Sequence, residues 1–162
     1  MHSLTLHSAQ LLPLTPVEPA TFCSHCAREP SGRRHSRICA HCEMGVILEA
    51  DPRMAPAPGA AFLVCDELLL VCAVSENAER LLGCSEPEAI HRPLSQLLVG
   101  ADLDFQGIPR LPELLGEAAR GDLDVTETVV APLDAPHDHL RCRVGSCGSP
   151  VAALLVLDAT PA

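Results

Sequence analysis

Four cysteines set the strongest constraint on how this chain can fold. Cys23, Cys26, Cys39 and Cys42 form two C-x2-C pairs that are separated by twelve residues. Two pairs at this spacing can bring four thiolates to the corners of a tetrahedron, which is the arrangement of a closed structural Zn²⁺ site. The segment is too short to bury a core of its own, so a bound metal has to supply its folding energy. Because four protein ligands leave no open coordination position, we expect a structural site and not a catalytic one.

Two details of this segment stay open at the level of sequence. His25 and His41 lie inside the two pairs and His35 lies in the loop between them, and an imidazole could replace one thiolate. Four cysteines at the proper spacing make that replacement unnecessary, so exposed loop histidines are the preferred interpretation. After Cys42, an apolar run at residues 46–48 predicts a helix, as in a treble clef. A second hairpin at the same place would instead make a zinc ribbon.

The use of cysteine indicates a reducing compartment. The chain begins without the charged and apolar regions of a secretory signal, although it contains nine cysteines. Its longest apolar runs, such as residues 151–157, fall far short of the roughly 20 residues that cross a bilayer. We therefore expect a cytoplasmic protein without membrane contact, in which C-x2-C pairs favour metal over disulfide.

Charge is distributed unevenly along the chain. The net charge is −10, and the stretch from Pro58 to the C-terminus carries sixteen acidic and six basic residues. The loop between the cysteine pairs is basic instead, and its candidate contacts for an anion or a partner are Arg28, Arg33, Arg34 and Arg37. An acidic domain repels phosphate, so a transcription-linked protein that contacts nucleic acid through this loop is only the alternative function.

Composition divides the chain into four parts. Residues 1–21 contain three prolines that prevent a continuous helix, and we expect a disordered tail. Residues 22–50 form the metal module and its following helix. Residues 51–58 are rich in proline and alanine, which is typical of a semi-rigid linker. Residues 59–160 form the main domain.

The sequence of the main domain predicts strands at both ends with helices between them. Two apolar runs after residue 60 predict a hairpin that turns near Asp66 and Glu67. Ser75 is suited to cap a helix that stops at Gly83, and a longer helix is predicted to end at Gly121. Three strands follow, and the last is nearly continuous in apolar residues, which predicts a central position. This order predicts an α+β domain in which helices pack on one face of an antiparallel sheet.

The segment over residues 61–98 resembles a PAS domain. The residues that carry the resemblance to the first helix of that family are Asn77, Ala78, Leu82 and Gly83. In the element that follows, Glu88 and Pro93 fit the family, whereas Arg92 stands where glycine is usual. The resemblance covers about residues 59–160. It implies a five-stranded sheet in the spatial order 2-1-5-4-3, with helices on one face.

The resemblance also implies a class of function. PAS domains sense small molecules, light or redox state, or mediate dimerisation, and so serve signal transduction and the regulation of transcription. We therefore expect a regulatory, non-catalytic module that acts through protein partners, a homodimer among them. Neither flavin nor haem is expected, since the flavin-reactive cysteine motif is absent and the longer helix has no histidine. Structural Zn²⁺ is the one cofactor that the sequence predicts.

The cysteines outside the metal module are expected to be structural. Cys65 and Cys142 occupy apolar positions, where a thiol acts as a small inert hydrophobe. Cys147 lies in a segment that reads as a turn, so it is the best candidate for an exposed, redox-active thiol. Structural filling is still the preferred interpretation for it.

Overall fold

One curved antiparallel sheet dominates the computed structural model, which describes residues 17–31, 36–101 and 111–161. Within these ranges the strands are β1 (Ala20–Cys23), β2 (Ile47–Ala50), β3 (Ala61–Cys65), β4 (Val71–Val74), β5 (Leu98–Gly100), β6 (Thr126–Pro132), β7 (Leu140–Cys147) and β8 (Ala152–Pro161). The helices are α1 (Glu76–Leu82), α2 (Glu86–Ala89) and α3 (Leu111–Arg120), with a 3-10 turn at Leu94–Gln96. The predicted mixture of α and β structure is thereby confirmed.

The strands lie in the order β1-β2-β7-β8-β3-β4, and β6 pairs with both β5 and β7. One edge of β7 pairs with β8 along its length. Its other edge pairs with β6 in its first half and meets β2 at its end, where Ala50 lies opposite Cys147. The last strand, β8, lies between β7 and β3, as its continuous apolar sequence predicts.

Both faces of the sheet are buried at β3 and β8, where alternating residues point to opposite faces. Leu63 and Leu155 point towards the helices and join a core with the buried side of α3. Their neighbours Phe62 and Val156 point the other way and join a second apolar cluster. A sheet that is covered on both faces needs apolar residues at successive positions, which explains the unbroken apolar runs of β3 and β8.

The first helix begins and ends where its sequence predicts. Ser75 is buried, and its Oγ accepts hydrogen bonds from the N–H groups of Ala78 (3.3 Å) and Phe62 (2.9 Å). The same hydroxyl donates to the carbonyl of Ala60 at 3.1 Å, so one side chain both caps α1 and ties it to β3. At the other end Gly83 adopts φ 65°, the left-handed conformation that ends helices.

The longer helix, α3, lies across the sheet. Its buried side chains are Leu111, Leu114, Leu115, Ala118 and Ala119. The spacing of the leucines puts them on one face of the helix, which packs against β7 and β8. None of the helices that the structure describes is long and apolar enough to cross a membrane.

The predicted helix after Cys42 is wrong. Residues 47–50 form β2 instead, which pairs with β1 from Ala20↔Ala50 to Cys23↔Ile47. A run of three apolar residues does not by itself distinguish a short strand from a helix, and here the partner strand decides. Part of that partner, residues 20 and 21, belongs to the stretch that was predicted as a tail. Residues 1–16 of the predicted tail lie outside the described residues.

The proline-rich stretch at residues 51–58 is attached to the sheet through Met54. This side chain is fully buried in the second apolar cluster, beside Gly145 of β7. A Cβ atom on Gly145 would lie 2.8 Å from Cγ of Met54, so the glycine makes room for the methionine. Arg53 reinforces the attachment, since its carbonyl accepts a hydrogen bond from Arg143.

Candidate metal centre

The four predicted cysteines converge on one point. Their sulfur atoms all lie within 4.8 Å of one another. Cys23 Sγ is 3.5 Å from Cys42 Sγ, and Cys26 Sγ is 3.8 Å from Cys39 Sγ. A tetrahedral ion with Zn–S bonds of about 2.3 Å requires sulfur–sulfur separations of about 3.8 Å. A disulfide requires about 2.05 Å, and the four cysteines are free thiols. A four-cysteine cluster that could hold a metal ion is therefore present.

Two turns of the same construction carry these thiols. In the first, the N–H of Ala27 donates to the carbonyl of Cys23 at 3.1 Å. In the second, sixteen residues later, the N–H of Glu43 donates to the carbonyl of Cys39 at 2.9 Å. Ala27 and Glu43 both adopt positive φ, 62° and 58°. We call these turns the first and second knuckles; each folds its C-x2-C pair around one side of the centre.

Backbone N–H groups surround the sulfur atoms. The N–H groups of His25 and Cys26 point at Cys23 Sγ, at 3.4 and 3.5 Å. In the second knuckle, the N–H of His41 points at Cys39 Sγ at 3.4 Å, and that of Gly45 at Cys42 Sγ at 3.5 Å. Hydrogen bonds of this kind stabilise a thiolate and orient it towards a metal. His25 and His41 occupy matching positions, so in each knuckle the sulfur of the first cysteine accepts from the N–H two residues later.

Ionisation differs among the thiols because burial and hydrogen bonding oppose each other. Burial raises the pKa of Cys23 to about 12, and burial also raises the pKa of Cys26. Burial also raises the pKa of Cys42. Hydrogen bonds to its sulfur from the N–H groups of Gly45 and Met44 and from the thiol of Cys23 have the opposite effect, and together they lower the pKa to about 6. Of these three thiols, Cys42 is the one that ionises most readily. A metal ion bound at the centre would displace the protons of Cys23 and Cys26.

Gly45 gives the centre its tight packing. A Cβ atom at this position would lie 2.8 Å from the backbone nitrogen of His25 and 2.9 Å from its Cβ, and closer still to Cys23 Sγ. The absence of a side chain therefore allows the second knuckle to approach the first. No sequence pattern pointed to this residue, because the contact joins two parts of the chain twenty residues apart.

The knuckles are fixed to the sheet on the face opposite α3. Phe22, which precedes the first ligand, packs edge to face on Phe62 of β3, with ring centroids 5.7 Å apart and an interplanar angle of 86°. Both rings are buried in the second apolar cluster. The backbone continues the connection, since the N–H of Glu76 at the start of α1 donates to the carbonyl of His25 at 2.9 Å. The centre and the sheet therefore share one core.

The three histidines differ in their placement. His41 is exposed, as predicted, and His35 lies outside the described residues. The prediction that His25 is exposed is wrong, because its side chain is only 8% accessible. Its Nδ1 has no hydrogen-bond partner in the part of the chain that the structure describes. The close approach of Gly45 and of the start of α1 encloses this side chain, and neither contact is visible in the local sequence.

A cleft of about 420 Å³ opens beside the centre. Its lining residues are Cys26, Arg28, His41, Cys42, Pro58, Gly59 and Glu76. Of the four predicted arginines, Arg28 therefore lies next to two cysteines of the centre. Arg37 is exposed and does not line this cleft. Arg33 and Arg34 lie outside the described residues. The contribution of Glu76 and Gly59 was not predicted, since it depends on how the knuckles dock on the main domain.

The cysteines outside the centre are partly as predicted. Cys65 and Cys142 are buried, in agreement with the sequence. Cys147 is 4% accessible, and burial raises its pKa to about 12, in agreement with the preferred interpretation of structural filling. The alternative, an exposed thiol in a turn, is wrong, because Cys147 ends β7. The apparent turn begins one residue later. Cys72 on β4 is exposed instead.

Comparisons of the chain with protein-family models, with curated proteins and with solved structures gave no match. Function therefore has to be argued from two features of this chain, the four-cysteine centre and the arrangement of the sheet.

Proposed function

We propose that the protein is a PAS-type sensory or protein-interaction module with a structural Zn²⁺ site, and that it is regulatory and not catalytic. The strand order carries this proposal. Counted from β3 and leaving out the three-residue β5, the main domain reads β4-β3-β8-β7-β6, which is 2-1-5-4-3. This is the order that the PAS resemblance implies. The helices lie on one face, and α1 carries Asn77, Ala78, Leu82 and Gly83 in the positions of the resemblance.

Zinc is the proposed occupant of the centre. Four cysteine sulfurs at these separations suit a tetrahedral, thiolate-preferring ion, and Zn²⁺ is the commonest of that kind. The strand β2 after the second knuckle makes the module resemble a zinc ribbon more than a treble clef. Cys23, Cys26, Cys39 and Cys42 would hold the ion, which would stabilise the knuckles without supplying a reactive site.

Two features support an output through protein contacts. Among the described residues, the core between the sheet and α3 is built from leucine, valine and alanine side chains of the domain itself. On the second knuckle, the apolar residues Ile38, Met44 and Val46 are exposed, by 56%, 66% and 46%. Exposed apolar groups close together are typical of an interaction surface. We propose a protein partner, with a second copy of the chain as one candidate, in a reducing cytoplasmic compartment.

Native mass spectrometry of the freshly purified full chain tests this proposal. One measurement detects bound metal and co-purified ligand and gives the oligomeric state. We expect zinc-bound chains that form a dimer or carry a small non-covalent ligand. A zinc-bound monomer without any ligand would contradict the sensory function while leaving the metal centre intact.

A second candidate is nucleic-acid contact through the Arg-rich loop. The observation that favours it is the exposure of both described arginines of the loop, Arg28 and Arg37. Such binding should weaken steeply as salt rises, because phosphate contacts release counterions. Fluorescence anisotropy with a labelled oligonucleotide at low salt decides the matter. The absence of binding there would eliminate this candidate.

A further inference from the structure

The two knuckles share an asymmetry of exposure. Each knuckle contributes one fully buried cysteine, Cys23 at 0% accessibility and Cys39 at 1%. Each also contributes one half-buried cysteine, Cys26 or Cys42, and these two line the 420 Å³ cleft. A solute that enters the cleft therefore meets the sulfur atoms of Cys26 and Cys42 first.

All four sulfur atoms lie within 4.8 Å of one another, and two of their contacts join the knuckles. Cys42, which faces the cleft from the second knuckle, touches buried Cys23 of the first knuckle at 3.5 Å. Cys26, which faces the cleft from the first knuckle, touches buried Cys39 of the second at 3.8 Å. Each accessible sulfur thus has a protected sulfur of the opposite knuckle within contact distance. This is the geometry of an attacking thiolate with a resolving thiolate behind it.

We propose that the centre is a site of oxidation by hydroperoxides, in which Cys26 and Cys42 react first and disulfides then join Cys42 to Cys23 and Cys26 to Cys39. The ion is released, because a disulfide sulfur no longer acts as a thiolate ligand. This inference rests on the proposed metal centre. It adds to that proposal a reactant class and a specific pairing.

The chemistry balances for each pair. With hydrogen peroxide, the thiolate of Cys42 attacks one peroxide oxygen, the O–O bond breaks, and a sulfenic acid and a hydroxide result; an alkyl hydroperoxide would release an alkoxide in place of this hydroxide. The thiolate of Cys23 then attacks the sulfenic sulfur, the S–S bond forms, and a second hydroxide leaves. Two protons from solvent convert both hydroxides to water. Two thiolates have lost two electrons and one peroxide has gained them, so the second pair consumes a second peroxide.

The cleft is suited to this reactant. It is large enough for a small peroxide, and Arg28 and His41 at its wall offer N–H donors to a departing oxygen. Three other thiols of the chain are less suited to form a disulfide in this way. Cys65, Cys142 and Cys147 are buried in the sheet, and burial raises the pKa of each of them.

The arginines of the loop allow disulfides between the knuckles to be distinguished from disulfides within a knuckle, and fragmentation of the joined peptides then identifies the pairs. Trypsin cleaves after Arg28 and Arg37, so Cys23 and Cys26 leave in one peptide, residues 1–28, and the other two ligands leave in residues 38–53. Disulfides within a knuckle keep these peptides separate. Disulfides between knuckles join them.

The experiment treats the zinc-loaded full chain with hydrogen peroxide and follows zinc with a chromophoric chelator. After the remaining thiols are blocked, non-reducing tryptic digestion and fragmentation mass spectrometry identify the linked cysteines. The control is Cys72→Ser, which removes an exposed thiol outside the centre. We expect loss of the one bound zinc, joined peptides with the pairs Cys23–Cys42 and Cys26–Cys39, and the same release in the control.

Three results would overturn the proposal. These are zinc retained under peroxide while Cys72 is oxidised, disulfides within each knuckle, or release that disappears in the Cys72→Ser control. A chain that binds no zinc before peroxide is added is a distinct outcome, because it refutes the proposed metal centre itself and this inference with it.

Discussion

Replacement of Gly45 by alanine should weaken zinc binding strongly without replacing any of the four cysteines. The new Cβ would lie 2.8 Å from the His25 nitrogen and nearer still to Cys23 Sγ. Non-bonded heavy atoms prefer separations of about 3.5–4.0 Å, so the knuckles have to separate by roughly 0.7 Å or more. Metal–ligand distances tolerate only about 0.2 Å. The displacement therefore exceeds the tolerance of the site several-fold.

Two consequences follow for Gly45→Ala, one for affinity and one for stability. Changes around a zinc site that spare the ligands typically weaken binding by 10–100-fold, and we expect at least about 100-fold because the clash involves a ligand sulfur. If the centre holds zinc as proposed, metal binding stabilises the folded knuckles, so the variant should also unfold at lower temperature.

The assay is competition for zinc with a chromophoric chelator, with thermal unfolding followed by circular dichroism. The matched control is Gly116→Ala in α3, where the new Cβ would meet only the flexible tip of Arg120, at 3.3 Å. That change should leave zinc affinity intact, and it favours the helix by about 1 kcal/mol. Wild-type affinity in Gly45→Ala would refute the geometry of the centre.

Three further outcomes are expected in urea unfolding. Ser75→Ala removes a buried hydroxyl that accepts hydrogen bonds from two N–H groups, so it should lower the free energy of unfolding by about 1–3 kcal/mol. A change below the error of the measurement would contradict the role of Ser75 as a helix cap. Gly145→Ala should lower the free energy of unfolding by about 1–3 kcal/mol, because the new Cβ clashes with Met54. Combined with Met54→Ala, it should lower the free energy of unfolding by less than the sum of the two single changes. Additive effects would exclude the contact. Hydrogen bonds from Arg53 lower the pKa of Asp51, so this pair stabilises the fold above about pH 4 and loses that effect as the pH falls further. Arg53→Ala should slightly flatten the dependence of the free energy of unfolding on pH in that range, and the effect is small because the pair is exposed. An unchanged dependence on pH would exclude the linkage.

The features that could be predicted from the sequence are those with a local cause. Ser75 and Gly83 mark the ends of α1 because capping and positive φ depend on one residue each. The central position of β8 follows from its unbroken apolar run, since a strand buried on both faces has no polar positions. The convergence of the four cysteines could be predicted for a similar reason, because C-x2-C spacing is itself the geometry of a knuckle.

The features that were missed depend on contacts between distant parts of the chain. β2 is a strand because β1 lies beside it, and neither strand is long enough to show a period of its own. His25 is buried because Gly45 and the start of α1 close over it. Met54 anchors a stretch whose composition is that of a linker, because β7 has a glycine opposite it. Each of these errors concerns how distant segments of the chain pack against one another, which local sequence patterns do not predict.

Metal content of the purified full chain tests the central claim most directly. Inductively coupled plasma mass spectrometry should find one zinc per chain in the wild type and in Cys72→Ser, whose thiol lies outside the centre. In Cys23→Ser, which removes a buried ligand, the zinc should be lost and the unfolding temperature should fall. A wild-type protein that is well folded and free of metal, or a Cys23→Ser variant that keeps its zinc, would contradict the account.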